Sequence, residues 1–374
     1  MKPQPVYLDY NATTPVLPEV LEVMGQASLE TFGNPSSSHV MGREARKLLE
    51  RARNQVAALI EAEPEEIIFL SGGTEANNLA ILGTVLSEPR AHVITSRIEH
   101  PSVLNPCVRL LELGYDVTFL PVDSQGYVDP EEVRRALRPE TRLVSIMLAN
   151  NETGALQPVA EIGKICRQAH VTFHTDAAQA VGKIPVSVRE IDCDLLTVAG
   201  HKLYAPKGIG ALYVKKGRKL ESLIFGAGQE RGLRPGTEPV PLAVALGKAC
   251  EIAQRDLVAE AKRQEALRER LYQGLQAIFP ALVRHGDPAR TLPNTLSVSF
   301  PGHLGAQILE AMPGLCASTG AACHDRSVTI SHVLSAMGVP PEVAKGTIRL
   351  SLGRNTSLPE IERALSLFRA YFSR

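Results

Sequence analysis

Between residues 17 and 31 apolar side chains recur at Leu17, Val20, Leu21, Met24 and Ala27, the spacing of one face of a helix. The polar run Phe32-Gly33-Asn34-Pro35-Ser36-Ser37-Ser38-His39 breaks that spacing and predicts a loop. From 42 to 62 a seam of Ala45, Leu48, Leu49, Ala52, Val56 and Leu59 runs through a strongly charged stretch, predicting an amphipathic helix with a solvated outer face. The pattern then alternates. Short apolar runs at 67–70, 93–95, 117–122, 143–148 and 171–175 read as strands, and the segments from 71 to about 86, 102–113, 130–137 and 159–169 read as helices. A hairpin follows, with strands at 195–198 and 209–214 around Gly200, His201, Lys202 and a Pro-Lys-Gly bend. Strands that are apolar throughout and alternate with helices predict right-handed βαβ crossovers. The expectation is an α/β fold with a mostly parallel central sheet, helices on both faces, and ligands at the strands' carboxyl ends.

After the glycine-rich segment 226–237 the pattern changes to a long helix over 240–278, separated strands at 296–300 and 348–352, and further helices. This is α+β organisation. It predicts a large domain over 16–255 and a smaller C-terminal domain over 256–374, with the segment 1–15 packing on the smaller one.

Composition narrows the partners. Forty lysines and arginines balance forty acidic residues in the 374-residue chain, so no global field favours nucleic acid or an anionic membrane, and a small-molecule partner is expected. The N-terminal stretch carries no long apolar segment and no run approaches membrane-spanning length, which predicts a soluble, cytoplasmic protein. The six cysteines (Cys107, Cys166, Cys193, Cys250, Cys316 and Cys323) are dispersed without a CxxC pair, so neither a disulfide framework nor a zinc or other metal site is expected.

Candidate chemistry gathers at predicted strand ends. Lys202 follows a strand and a glycine, where desolvation and neighbouring cations lower an amine's pKa and let it form a Schiff base with an aldehyde; it is the candidate carrier of pyridoxal 5'-phosphate. Ser71-Gly72-Gly73-Thr74 offers backbone N–H groups at a helix start, fit for a phosphate; alone it is equally a plain turn, and it lacks the spacing of a nucleotide loop. Asp176 in His174-Thr175-Asp176 is either a helix N-cap or the partner of a pyridine nitrogen, with Gln179 in reach of the ring hydroxyl. His100 is either structural or a ring-stacking proton shuttle. Asn150-Asn151-Glu152-Thr153-Gly154 closes the next strand.

Tyr7-Leu8-Asp9-Tyr10-Asn11-Ala12-Thr13-Thr14-Pro15, Ser71-Gly-Gly-Thr-Glu, Asn150-Asn-Glu-Thr-Gly, His174-Thr-Asp-Ala-Ala-Gln, Gly200-His-Lys and Arg349-Leu-Ser-Leu-Gly-Arg354 occur in this order over nearly the whole chain. In them the chain resembles the cysteine desulfurases and selenocysteine lyases, of the class V aminotransferase group within the fold-type I pyridoxal-phosphate-dependent transferases. The resemblance implies that Lys202 is the Schiff-base lysine, that His100 stacks on the ring, and that Asp176 partners its nitrogen. Gln179 and Asn151 would neighbour the ring oxygen and substrate. Gly73, Thr74 and His201 would hold the phosphate, with Thr237 supplied across a homodimer interface. Arg349 would clamp the substrate carboxylate and Asn34 would lie near the substrate. Cys323, in Gly320-Ala-Ala-Cys-His, would receive sulfur from L-cysteine as a persulfide, leaving L-alanine, and pass it to an acceptor. As a free cysteine it is otherwise a small buried hydrophobe, although its polar flanks favour exposure.

Two features divide the subgroups. Ala199 stands where desulfurases usually carry a serine, as in selenocysteine lyases, which convert L-selenocysteine to L-alanine and selenide. The loop after Cys323 has the length and the Ser331-His-Val-Leu334 ending of the desulfurases of iron–sulfur cluster assembly. The resemblance therefore implies a cysteine desulfurase first and a selenocysteine lyase second. A plain aminotransferase would use the same lysine and aspartate without needing Cys323.

Overall fold

The computed structural model describes residues 5–88, 90–319 and 330–373. Cys323 lies outside them. The strands are β1 (Val6–Tyr7), β2 (Ile67–Leu70), β3 (His92–Ser96), β4 (Asp116–Leu120), β5 (Thr141–Ser145), β6 (Thr172–Asp176), β7 (Leu195–Ala199), β8 (Gly210–Val214), β9 (Val283–His285), β10 (Thr295–Ser299), β11 (Leu315–Cys316) and β12 (Thr347–Ser351). Seven of them form one sheet in the order β2-β8-β7-β6-β5-β3-β4. Its pairings are parallel from β7 through β4, and β8 alone runs antiparallel to its neighbours β7 and β2.

The sheet is apolar on both faces because helices cover both. The Val40–Leu59 helix and the first half of the long Val240–Ile278 helix contribute Leu49, Ala52, Val56, Leu246 and Ala249 to a core that includes Phe69, Ile94, Val144, Phe173 and Leu196 of the sheet. The Gly73–Val85 and Pro101–Glu112 helices close other faces through Leu79 and Ala80, and through Val103 and Leu110. A second core lies around the antiparallel sheet β12-β10-β9, where Leu296, Val298, Ile348 and Leu350 meet Leu271 and Leu275 of the long helix and Ile361, Leu365 and Phe368 of the Leu358–Phe372 helix. Val6 and Leu8 belong to this second core, and β1 pairs in parallel with β11.

The structure departs from the expected elements where backbone groups find partners outside the sheet. The strand expected over 143–148 ends at Ser145. Beyond it the Ile146 and Leu148 N–H groups still donate to His174 and Asp176 of β6, while the Met147 N–H turns to the buried side chain of Glu99, 3.0 and 3.1 Å from its two oxygens. The helix expected from residue 71 begins at Gly73. The strands β1, β9 and β11, only two or three residues long, carry too little alternation to be read from sequence.

Candidate active site

The parallel strands deliver their carboxyl ends to one cavity of about 380 Å³, within the range of small-molecule and cofactor sites. Its walls include Gly73, Thr74, His100, Asn151, Asp176, Gln179, Ala199, His201, Lys202 and Arg349, together with Asn11, Asn77 and Ser102.

Lys202 ends a tight turn, Gly200–Lys202, between β7 and β8. The turn requires glycine at its first position, since a Cβ on Gly200 would lie 2.7 Å from the Ile209 carbonyl oxygen. The Lys202 Nζ donates to the backbone oxygens of Asn11 at 2.5 Å and Ala12 at 2.7 Å, so the N-terminal segment holds the amine in place. Burial and the Arg349 guanidinium pull its pKa down to about 8, against the opposing pull of Asp176 and Asp9. About a tenth of the amine is therefore neutral at pH 7, several hundred times the share of an ordinary lysine.

Asp176 closes β6 and is buried. Its Oδ2 accepts from Asn77 Nδ2 at 2.7 Å and its Oδ1 from the Ala178 N–H at 2.9 Å. The helix-cap alternative is not realised: the bond to Ala178 closes a turn, and the next helix, Val188–Ile191, is capped by Ser187. Gln179 donates from Nε2 to the Asn11 carbonyl at 3.0 Å, and its Oε1 accepts from Lys183 Nζ at 2.8 Å. Burial, with Lys202 and Arg349 nearby, holds the Lys183 amine well below the usual lysine range.

His100 caps the Pro101–Glu112 helix, its Nδ1 accepting from the Ser102 N–H at 3.1 Å. Burial lowers its pKa, with Asp176 opposing. His201 places Nδ1 3.2 Å from Thr13 Oγ1, and burial followed by the Lys202 charge pulls its pKa down to about 4. Gly73 packs against Ala199, and Gly210 passes so close to Gly72 that a Cβ there would meet its Cα at 2.7 Å. The hairpin bearing Lys202 is thereby pressed against the N-terminus of the Gly73–Val85 helix.

Arg349 reaches in from β12, the strand beside β10 in the second sheet. It donates from Nη2 to Asp9 Oδ1 at 2.8 Å and from Nη1 to the Asn151 carbonyl at 3.0 Å. Its buried Nε has no hydrogen-bond partner among the described residues, and neither has Asn77 Oδ1.

Two expected residues stand elsewhere. Asn34 lies in the exposed loop before the Val40–Leu59 helix, where its Oδ1 accepts from the Ser36 N–H at 2.9 Å, and Thr237 is exposed on the loop before the long helix. Neither lines the cavity within one chain. Asn11, Asn77, Ser102, Asp9 and Lys183 were not singled out from the sequence. Only Asn77 carried a usable signal, one helical turn after Gly73 and hence on the same face.

The donor set fits pyridoxal phosphate. A helix N-terminus with Gly73, Thr74 and a nearby imidazole suits a phosphate, a buried carboxylate suits a pyridinium nitrogen, and a lysine of lowered pKa suits an aldehyde carbon. Such a site at the carboxyl edge of a mostly parallel sheet defines a fold-type I pyridoxal-phosphate-dependent enzyme. The model of the aminotransferase class-V family matches residues 6–364, and the chain belongs to that family. It is 48% identical over 365 residues to cysteine desulfurase 2 of Trichormus variabilis, covering 97% of this chain and 92% of that protein. A solved NifS-like protein superposes with a TM-score of 0.93 at 38% identity, covering 99% of this chain and 100% of the other. A structure of SspA in complex with cysteine gives 0.81 at 38% identity, covering 92% and 98%.

Proposed function

We propose that the chain is a cysteine desulfurase that converts L-cysteine to L-alanine, passing sulfur to Cys323 as a persulfide and from there to an acceptor. The observation that carries this reading is the convergence of Lys202, Asp176, His100 and Arg349 on one cavity; the names of the relatives support it. Bound pyridoxal phosphate would supply an electron sink for the substrate's Cα, weakening the Cβ–S bond.

The chain's residues do the rest. The N–H groups of Gly73 and Thr74, with His201, would hold the phosphate, Asp176 would keep a proton on the ring nitrogen, and Gln179 and Asn151 would neighbour the ring oxygen and substrate. Arg349 turns its free Nε and a neighbouring N–H to the substrate carboxylate, a bidentate contact suited to a planar guanidinium. Lys202, its basicity lowered by burial and Arg349, takes the Cα proton at Nζ. The Cys323 thiolate attacks the substrate sulfur; an S–S bond forms as the Cβ–S bond breaks, and its electron pair stays on carbon, which is protonated to give alanine.

In the same reading the chain works as a cytoplasmic homodimer. Residues 256–374 with the segment 1–15 form its smaller domain, and Asn34 and Thr237 complete a site through assembly. The exposure of Thr237 supports this, as do Ile224 and Phe225, 48% and 92% exposed on the preceding loop. The apolar Ala199 wall beside Gly73 is the feature that favours selenocysteine lyase instead.

The test is alanine formation from L-cysteine and from L-selenocysteine, by wild type and Cys323→Ala, without a keto acid. Catalytic turnover of cysteine that is lost in the variant supports the proposal. Strong preference for selenocysteine, surviving Cys323→Ala, would make the chain a lyase, and dependence on a keto acid would make it an aminotransferase.

A further inference from the structure

Four side chains at the cavity form one directed hydrogen-bond chain. The Asp176 carboxylate can only accept, so the Asn77 atom 2.7 Å from its Oδ2 must be the amide nitrogen. The second hydrogen of that nitrogen points to Ser102 Oγ at 2.8 Å. Ser102 Oγ lies 2.8 Å from His100 Nδ1, and because the Ser102 backbone N–H also points at that nitrogen, 3.1 Å away, leaving it no hydrogen of its own, the hydroxyl is the donor. Asn77 and Ser102 are 1% and 8% exposed, which shields the bonds between Asp176, Asn77 and Ser102 from water, while His100 is open to the cavity. Each bond from the carboxylate to the imidazole thus has a fixed donor, and Nδ1 is an acceptor twice over.

We propose that Asn77 and Ser102 are positioning residues that fix His100 as the tautomer protonated at Nε2, so that His100 serves the site as a donor from Nε2 and not as a base. This deepens the proposed function and rests on it for the use of His100. Protonating Nδ1 would break two hydrogen bonds at once, which disfavours the imidazolium. The charged and titratable groups facing His100 are Asp176 at the end of β6, Lys202 in the β7–β8 turn and His332 beyond β11; of these only Asp176 favours the imidazolium. Proton removal from the substrate then falls to Lys202, and His100 supplies a hydrogen bond or proton to a group that gains electrons.

The test is nitrogen NMR of the full-length, cofactor-loaded protein labelled at histidine, with His100 assigned by His100→Gln. The wild type is expected to show unprotonated Nδ1 and protonated Nε2, with titration below the ordinary histidine value. In Ser102→Ala one of the two bonds to Nδ1 is lost and the backbone N–H alone remains, so the titration moves upward, with a matching shift in the acid limb of kcat/KM for cysteine. Ser102→Thr restores the wild-type signature, and Asn77→Leu reproduces the alanine variant. A wild-type spectrum with protonated Nδ1 would overturn the inference, as would the same tautomer and titration in Ser102→Ala and Asn77→Leu, each shown to be folded by its thermal transition. The tautomer is read without turnover, so absence of alanine formation beside the expected spectrum would reject the proposed function alone.

Discussion

At the scale of single residues, the charge on Lys202 is decided by neighbours from three separate parts of the chain. Arg349 comes from β12, Asp9 from the N-terminal segment and Asp176 from β6, and burial adds the largest effect. Replacing Arg349 by Met removes a cation and leaves Asp9 unpaired, and both changes favour the ammonium. The Lys202 pKa should therefore rise from about 8 toward the ordinary lysine value, read by competitive acylation of the cofactor-free protein across pH. In the loaded enzyme the same variant should raise KM for cysteine at least tenfold, while Arg349→Lys, which keeps the charge but not the fork, should recover only the pKa. An acylation profile unchanged in Arg349→Met would show that burial alone sets the amine's basicity.

At the scale of elements, two contacts hold loops in place, one before the long helix and one at Lys202. The Arg53 guanidinium meets the Glu230 carboxylate in two bonds of 2.7 and 2.9 Å, and Glu230 Oε2 also accepts from the Phe69 N–H in β2. Both side chains are almost fully buried, 9% and 2% exposed. Arg53→Met strands the carboxylate, and should cost about 3–5 kcal/mol in urea unfolding; a loss below about 1 kcal/mol would mean that the loop relaxes to hydrate it. The Lys202 turn makes the second case. Gly200→Ala drives a methyl against the Ile209 carbonyl, with about 1–3 kcal/mol lost and weaker cofactor binding measured by absorbance titration.

The elements that make these loops were legible to the extent that their patterns were local. Continuous apolar strands and amphipathic helices gave the parallel sheet, and the Gly-His-Lys and Thr-Asp motifs landed at strand ends facing one cavity. What sequence could not reveal were contacts between distant segments. The carbonyls of Asn11 and Ala12 under Lys202, and Asp9 against Arg349, have no periodicity and no distinctive chemistry until the fold brings them together. The Met147 N–H just past β5 finds its partner in Glu99, 48 residues earlier, and no window of sequence contains both.

At the scale of the whole molecule, buried titratable groups shape the response to pH. Burial drives His174 and His285 down to about 4 from an ordinary value of 6.5, and His201 likewise with help from Lys202. As pH falls below about 6.5 the unfolded chain binds protons that the folded chain refuses, so stability drains away between about 6.5 and 4. Glu99, pushed up to about 8 from 4.5 by burial, has the opposite sign: its folded form keeps a proton through that window, and stability is lost as pH rises across it. Three imidazoles outweigh one carboxyl below pH 6.5. The urea midpoint of the cofactor-free protein should therefore fall steeply toward pH 4, and Glu99→Gln, which removes an opposing contribution across about 4.5–8, should make that fall steeper. A midpoint that rises toward pH 4 would contradict this balance.

The Val240–Ile278 helix joins these scales. It runs unbroken for 39 residues, about 58 Å at 1.5 Å per residue. One half is set in the core under Lys202 and the other in the core under Arg349. The span between the amine and the guanidinium is thus fixed as a ruler fixes two marks, by the stiffness of a rod and not by the lie of a loop. An α-amino acid, whose carboxylate sits one bond from its amine-bearing carbon, would be held at both points, and a β-amino acid would not.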